Sequence, residues 1–261
     1  MALTACSLLL GEGFTDPEAA AADAGGNDAA SLDGTSTTDG SSGGVDGTVK
    51  DDASGGDAGV DATCPQAKMS LCDDFERNAV QGEWGNVTVN ADGALAIGTP
   101  TGASRRLEST ISAPGGLAQL NRAFTFTPTK FHLELSLEIQ ALPKGGGVYI
   151  TGISMLNGSA SPSLVYVYAN ASGLYFVEQL TDGGGYQQSV LSIATGSMHH
   201  VVIDVAFGGK TLVKIDGATQ VDKNTETFLL PKPPTVYLGA GSIDTGTEFT
   251  IRADDFVFTA D

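Results

Sequence analysis

From Thr15 to Asp74 the chain has no aromatic residue, and within residues 1–63 the single basic side chain is Lys50. Asp, Gly, Ala, Ser and Thr fill that stretch instead. Such a composition cannot bury enough apolar surface to offset the entropy of ordering it, which excludes a packed core there. Residues 7–63 are therefore predicted to be a disordered acidic linker. Residues 1–63 hold twelve acidic side chains and one lysine, a local charge of −11, which leaves −7 of the total −18 for residues 64–261. The chain also lacks any apolar run near the roughly twenty residues of a membrane-spanning helix. A basic stripe is equally absent. Nucleic acid is thus a poor partner, because neutralising phosphates supplies most of that affinity.

Catalytic signatures are scarce as well. From Cys64 onward there is no G-x-S-x-G, and the chain has no H-E-x-x-H, so neither a hydrolase elbow nor a zincin site is expected. Gly208-Gly209-Lys210-Thr211 has the tail of a phosphate-binding loop, but Asp204 stands where the first glycine is needed. His199 and His200 are neighbours in a β-rich run, so their side chains leave opposite faces and cannot share a metal.

Three cysteines are present, Cys6, Cys64 and Cys72. Leu3-Thr4-Ala5-Cys6 resembles a bacterial lipobox, in which the cysteine becomes the lipidated first residue of the mature protein. A short apolar start followed by a long polar tether fits that layout, and Cys6 is the odd cysteine. The basic and apolar regions of a signal peptide do not fit within the five residues before Cys6, so either the natural start is expected upstream or the chain was trimmed. Residues 1–6 then read as the remnant of a signal peptide. The implied location is the bacterial cell envelope, at the outer membrane or cell surface, held through a lipid. A flexible linker of 57 residues spans about 40 Å on average and about 190 Å when stretched. Cys64 and Cys72, spaced C-x7-C, make a poor zinc pattern. In an exported chain they predict a disulfide that contributes about 2–3 kcal/mol.

Strand signals fill the remainder, residues 64–261. Phe131 to Gln140 alternates strictly, with Phe131, Leu133, Leu135, Leu137 and Ile139 on one face. The opposite face carries His132, Glu134, Ser136, Glu138 and Gln140. Val201, Ile203 and Val205 form a second inward set, and Phe249, Ile251 and Ala253 a third. Val148–Met155 and Leu164–Ala169 are further β-rich runs. Gly- and Asn-containing clusters at 143–147, 157–158, 170–173, 182–185, 208–209 and 216–217 supply turns. No stretch sustains a helical period. The fold class is therefore all-β, a sandwich or barrel.

Several of these runs resemble the laminin-G-like (LamG), concanavalin A-type jelly rolls. Gly196-Ser197-Met198-His199-His200-Val201 is similar to their G-x-W-H-H-V strand, with Met198 in the place of the tryptophan and expected in the core. Val213 to Gly217 resembles their Y-V-D-G hairpin, Tyr237 to Ser242 their I-G-G strand, and Asp254 to Phe258 their closing strand. Cys72-Asp73-Asp74-Phe75-Glu76 is similar to their opening D-F-E strand, which in that fold lies beside the last. The resemblance implies a two-sheet antiparallel jelly roll over residues 64–261.

It also implies where chemistry belongs. Glycosidases of this fold place an acidic pair on one strand. Glu134 and Glu138 share a face, but four residues at about 3.3 Å each separate them by roughly 13 Å, more than either stereochemical course tolerates. Binding is the better reading. The polar face with His132, Glu134 and Glu138 is one candidate surface. Tyr166 and Tyr168, which project together, are another, because stacked aromatics give sugars an apolar platform. Related jelly rolls carry calcium, and Asp73, Asp74, Glu76, Asp254 and Asp255 would approach one another if the first and last strands pair. The expected protein is an envelope-anchored lipoprotein presenting a non-catalytic module for a glycan or surface protein. A polysaccharide-cleaving hydrolase or lyase, or a purely structural surface protein, is the alternative.

Overall fold

A computed structural model describes residues 64–261 except 66, 99–103, 156–162, 181–185, 226–230 and 243–247. The lipobox, the linker and the turn clusters at 157–158 and 182–185 lie outside the described residues. Every regular element among those described is a β-strand, as period-two patterning demands.

Eight strands form the first sheet. Its order is β13 (Ala218–Asn224), β12 (Lys210–Ile215), β11 (Met198–Ala206), β6 (Lys130–Ile139), β15 (Phe249–Ala260), β4 (Arg106–Ile111) and β3 (Gly93–Gly98), and β1 (Met69–Asp73) pairs with the far half of β15. Seven strands form the second: β10 (Tyr186–Leu191), β9 (Gly173–Leu180), β8 (Ser163–Asn170), β7 (Gly147–Met155), β14 (Pro234–Ser242), β5 (Leu117–Ala123) and β2 (Asn86–Val89). All pairings are antiparallel. The chain crosses repeatedly between the layers, giving a jelly-roll sandwich.

One core fills the space between the sheets. Phe131, Leu133, Leu135, Leu137 and Ile139 are all buried, as their alternation predicts, and so are Val201, Ile203, Val205, Phe249, Ile251 and Ala253. The first and last strands do lie side by side, with Met69 opposite Ala260 and Asp73 opposite Phe256. Asp216 and Gly217 both have positive φ (50° and 77°) and close the two-residue hairpin between β12 and β13, the backbone that Asp-Gly favours. Cys64 and Cys72 are joined by a disulfide.

The tryptophan position differs from the expectation. Met198 has the outward parity of His200, stands opposite Glu138, and is half-buried rather than in the core. Trp84 supplies the core indole instead. It is buried against Phe256 at 4.9 Å between centroids and donates from Nε1 to Asp73 Oδ2 at 2.7 Å. Asp73 Oδ1 accepts from the Phe75 amide at 2.9 Å and from Arg77. A buried carboxylate is tolerable only when so fully partnered.

Candidate functional site

The two candidate surfaces named above fall on opposite outer faces of the sandwich. His132, Glu134 and Glu138 project from β6 on the first sheet, while Tyr166 and Tyr168 project from β8 on the second.

Charge dominates the first face. Register sets Asp204 of β11 directly opposite His132 and places His200 diagonal to Glu134. A hydrogen-bonded chain results. His132 bonds Asp204 Oδ1 through Nδ1 at 2.7 Å and Glu134 Oε2 through Nε2 at 3.0 Å, and His200 Nε2 bonds Glu134 Oε1 at 2.6 Å. Carboxylates only accept, so His132 satisfies both neighbours only with a proton on each nitrogen. Its pKa is accordingly raised from 6.5, chiefly by the Asp204 bond and against the opposing effect of burial. Burial would raise Glu134, but the bonds from His200 and His132 outweigh it and lower the group.

Glu138 is likewise engaged. It accepts from Gln140 Nε2 at 2.6 Å and lies 3.5 Å from Arg252 Nη1 and 3.8 Å from Arg106 Nη1. Asp254 stands next to it on β15, at a bulge where Asp255 takes φ 50°. Burial first, then the neighbouring Asp255 carboxylate, push Asp254 up to about 6.

The calcium candidates do not assemble into a ligand set. Asp73 serves Trp84, Phe75 and Arg77. Asp74 accepts from the Glu76 amide, Glu76 from the Arg105 amide, and Asp255 from Ser136. Among the described residues no group of three or more His, Cys, Asp or Glu side chains could hold a metal ion.

The outer face of the second sheet is different in kind. Cross-strand pairing lines up Val190, Tyr175, Tyr168, Tyr149, Gly241 and Leu117 in one row over five strand boundaries. The adjacent row contains Gln188, Val177, Tyr166, Gly152, Tyr237, Asn121 and Asn86. Tyr149 contacts Tyr166 and Tyr168 edge-on, with centroids 4.6 Å and 5.9 Å apart, and Tyr168 lies 6.3 Å from Tyr175. Tyr149, Tyr166 and Tyr237 are buried in this second cluster, whereas Tyr168 and Tyr175 are half-exposed. Glycine makes the packing possible. A Cβ on Gly147 would collide with the Tyr168 ring, and one on Gly152 with the Tyr166 backbone.

Period two thus paired Tyr166 with Tyr168, but the sequence alone did not expose Tyr149, Tyr175 or Tyr237 as their neighbours. Their alignment depends on register across four strands and on a bulge between Tyr149 and Thr151. Gln119 also escaped notice. It lies on this face between Gly239 of β14 and Thr88 of β2 and is only 7% exposed. Its Nε2 has no hydrogen-bond partner.

Comparison with family models and with curated proteins gives no match. Solved structures do match. Cellulose-induced protein Cip1 aligns with a TM-score of 0.56 at 13% identity, covering 73% of this chain and 97% of that one. The alginate lyase Aly36B gives 0.52 at 15% identity (74% and 98% covered), and the apo Crh5 transglycosylase 0.51 at 15% (76% and 86%). At these identities the likeness establishes the fold alone: the described residues form a concanavalin A-like jelly roll.

Proposed function

We propose that the jelly roll is a non-catalytic glycan-binding module, held at a bacterial envelope by a lipid on Cys6. The carrying observation is the row of Tyr175, Tyr168 and Tyr149 across neighbouring strands of the second sheet. Phenol rings offer apolar faces to the C–H faces of sugars, and the surrounding amides and hydroxyls suit their OH groups. The structural neighbours add support, since their names include a cellulose-induced protein, an alginate lyase and a transglycosylase. What favours binding over cleavage is the placement of the acids. Glu134 and Glu138 lie on the opposite face, tied to histidine, glutamine and arginine.

Affinity electrophoresis of the domain in gels containing soluble polysaccharides tests this reading. Tyr168→Ala and Tyr175→Ala should each weaken retention about two- to twelve-fold, the loss expected for one stacking ring of about 0.5–1.5 kcal/mol. Unretarded migration of the wild-type protein in every gel would refute it.

The anchor has its own check in the producing bacterium. Cys6→Ser should move the protein from the membrane to the soluble fraction. An unmodified Cys6 thiol in the wild-type protein, detected by mass spectrometry, would rule the anchor out.

A further inference from the structure

Among the described residues, the outward strand positions of the second sheet carry no formal charge. To the two rows above, pairing adds Gln179, Leu164, Ser154, Thr235 and Ala123, and the short row Gly239, Gln119 and Thr88. None of these described positions is Asp, Glu, Lys, Arg or His. That is not a consequence of a weakly charged domain, because residues 64–261 contain 19 acidic and 12 basic side chains. Charges crowd the opposite face instead, where Arg106, Glu108, His132, Glu134, Glu138, His200, Asp204 and Arg252 meet.

Within this neutral face Gln119 is the anomaly. A buried amide nitrogen without a partner costs about 1–3 kcal/mol, so native interiors contain few. The local backbone makes room for it. Gly239, directly opposite, has φ 129°, and a Cβ on Gly241 would fall 2.9 Å from Gln119 Nε2. The side chain therefore lies across two glycines of β14, one strand from Tyr149, with its Nε2 unpartnered and itself covered, so that donation outward requires the terminal amide to turn.

We propose that this face binds a neutral glycan, with the Gln119 amide turning outward to donate to a sugar hydroxyl or ring oxygen while the tyrosine row stacks the neighbouring residues. The inference rests on the glycan-binding reading above and narrows it to one chemical class. Uronates and sulfated sugars bring carboxylates or sulfates that lose hydration on a tyrosine-lined surface, and none of the described strand positions on this face supplies a cation to replace it. A neutral sugar brings hydroxyls that the amide satisfies, and binding removes the unpaired donor.

Affinity electrophoresis in two sets of gels decides the matter. One set holds hydroxyethyl cellulose, galactomannan and arabinoxylan. The other holds polygalacturonate, alginate and a sulfated galactan. The wild-type domain should be retarded by at least one neutral polymer, with affinity changing less than about two-fold between low salt and 0.5 M NaCl, because screening acts only on charges. Gln119→Leu should weaken that retention about five-fold or more while melting no lower than the wild type, since the substitution removes an unsatisfied group rather than a bond.

Retardation only by the acidic polymers, abolished by salt, would overturn the neutral assignment and leave glycan binding standing. Retardation unchanged in Gln119→Leu, or a melting temperature that falls with the substitution, would overturn the role of Gln119. No retardation in either set, together with a dimer in solution that Tyr168→Ala dissociates, would give the face to a second copy of the chain and defeat both readings.

Discussion

Lys223→Ala is expected to destabilise the jelly roll by about 3–5 kcal/mol, the cost of stranding a buried charge. Glu178 is the charge in question. It sits on β9 with inward parity, between Val177 on the outer face and the core, and is 0% exposed. Lys223 of β13 reaches across from the first sheet and brings Nζ to 2.6 Å from Glu178 Oε2. The contact is an ion pair rather than a hydrogen bond. The other oxygen, Oε1, accepts from Thr211 Oγ1 at 2.6 Å, and Thr225 donates to the Ala206 carbonyl at 2.8 Å and completes a small polar island. Removing the lysine leaves the Glu178 carboxylate in the core without its ion-pair partner among the described residues. For a domain of this size the melting temperature should fall by roughly 6–20 °C, and urea titration would give the same loss as a free energy. A double substitution, Glu178→Leu with Lys223→Met, should recover most of it, because the desolvation cost disappears with the pair. A Lys223→Ala protein that melts within about 2 °C of the wild type would contradict the buried-charge account.

Asp254 sets the second large effect, a dependence of stability on pH with an unusual direction. A carboxyl whose folded pKa is raised from 3.8 to about 6 contributes most below 3.8, and that contribution is lost as pH climbs through 6. Between pH 4.5 and 6.5 the loss amounts to about 2 kcal/mol, or roughly 4–8 °C in melting temperature. His132, also raised, acts in the same direction at higher pH, from 6.5 upward. Glu134 opposes both below 4.5, because its folded value is lowered and its contribution disappears as acid protonates it. The melting temperature should therefore peak near pH 4.5 and decline toward neutrality. Asp254→Asn keeps a group that can accept from Ser104 Oγ, 3.1 Å away, yet cannot ionise. It should flatten the curve between pH 4.5 and 6.5 and raise stability at pH 7. Parallel wild-type and Asp254→Asn curves would show that the titration lies elsewhere.

Alternation carried much of the fold. β6, β11 and β15 lie where Phe131–Gln140, His200–Val205 and Glu248–Ala253 predict them, with the expected sets inward. Local rules suffice there because one face meets the core and the other meets water. The same rule separated His199 from His200. His199 bonds Asp216 and the Ala194 carbonyl, while His200 turns to Glu134. Partnerships between strands were beyond it. Nothing near Lys223 announces Glu178, 45 residues earlier in the numbering, and Glu178 itself reads as one more polar residue in a β-rich stretch. Met198 was misplaced for a related reason. A motif supplies a position along the chain, whereas its side is fixed by pairing with Glu138. At the candidate site the sequence found two of five tyrosines, those joined by period two on one strand. The other three, and Gln119, become neighbours only through register.

The disulfide has a mechanical consequence. Any pull transmitted along the chain into Cys64 crosses to Cys72 through sulfur, so residues 65–71 stay slack and the pairs from Met69–Ala260 to Leu71–Phe258 bear no load. Tension arrives instead at the end of β1 where Asp73 is fastened to Trp84 and Arg77. With the sulfurs reduced, the same pull would begin at Met69 and open β1 from β15 pair by pair, like a zip. Two cysteines thus shift the point of attack from the loose end of the first strand to its best-secured one.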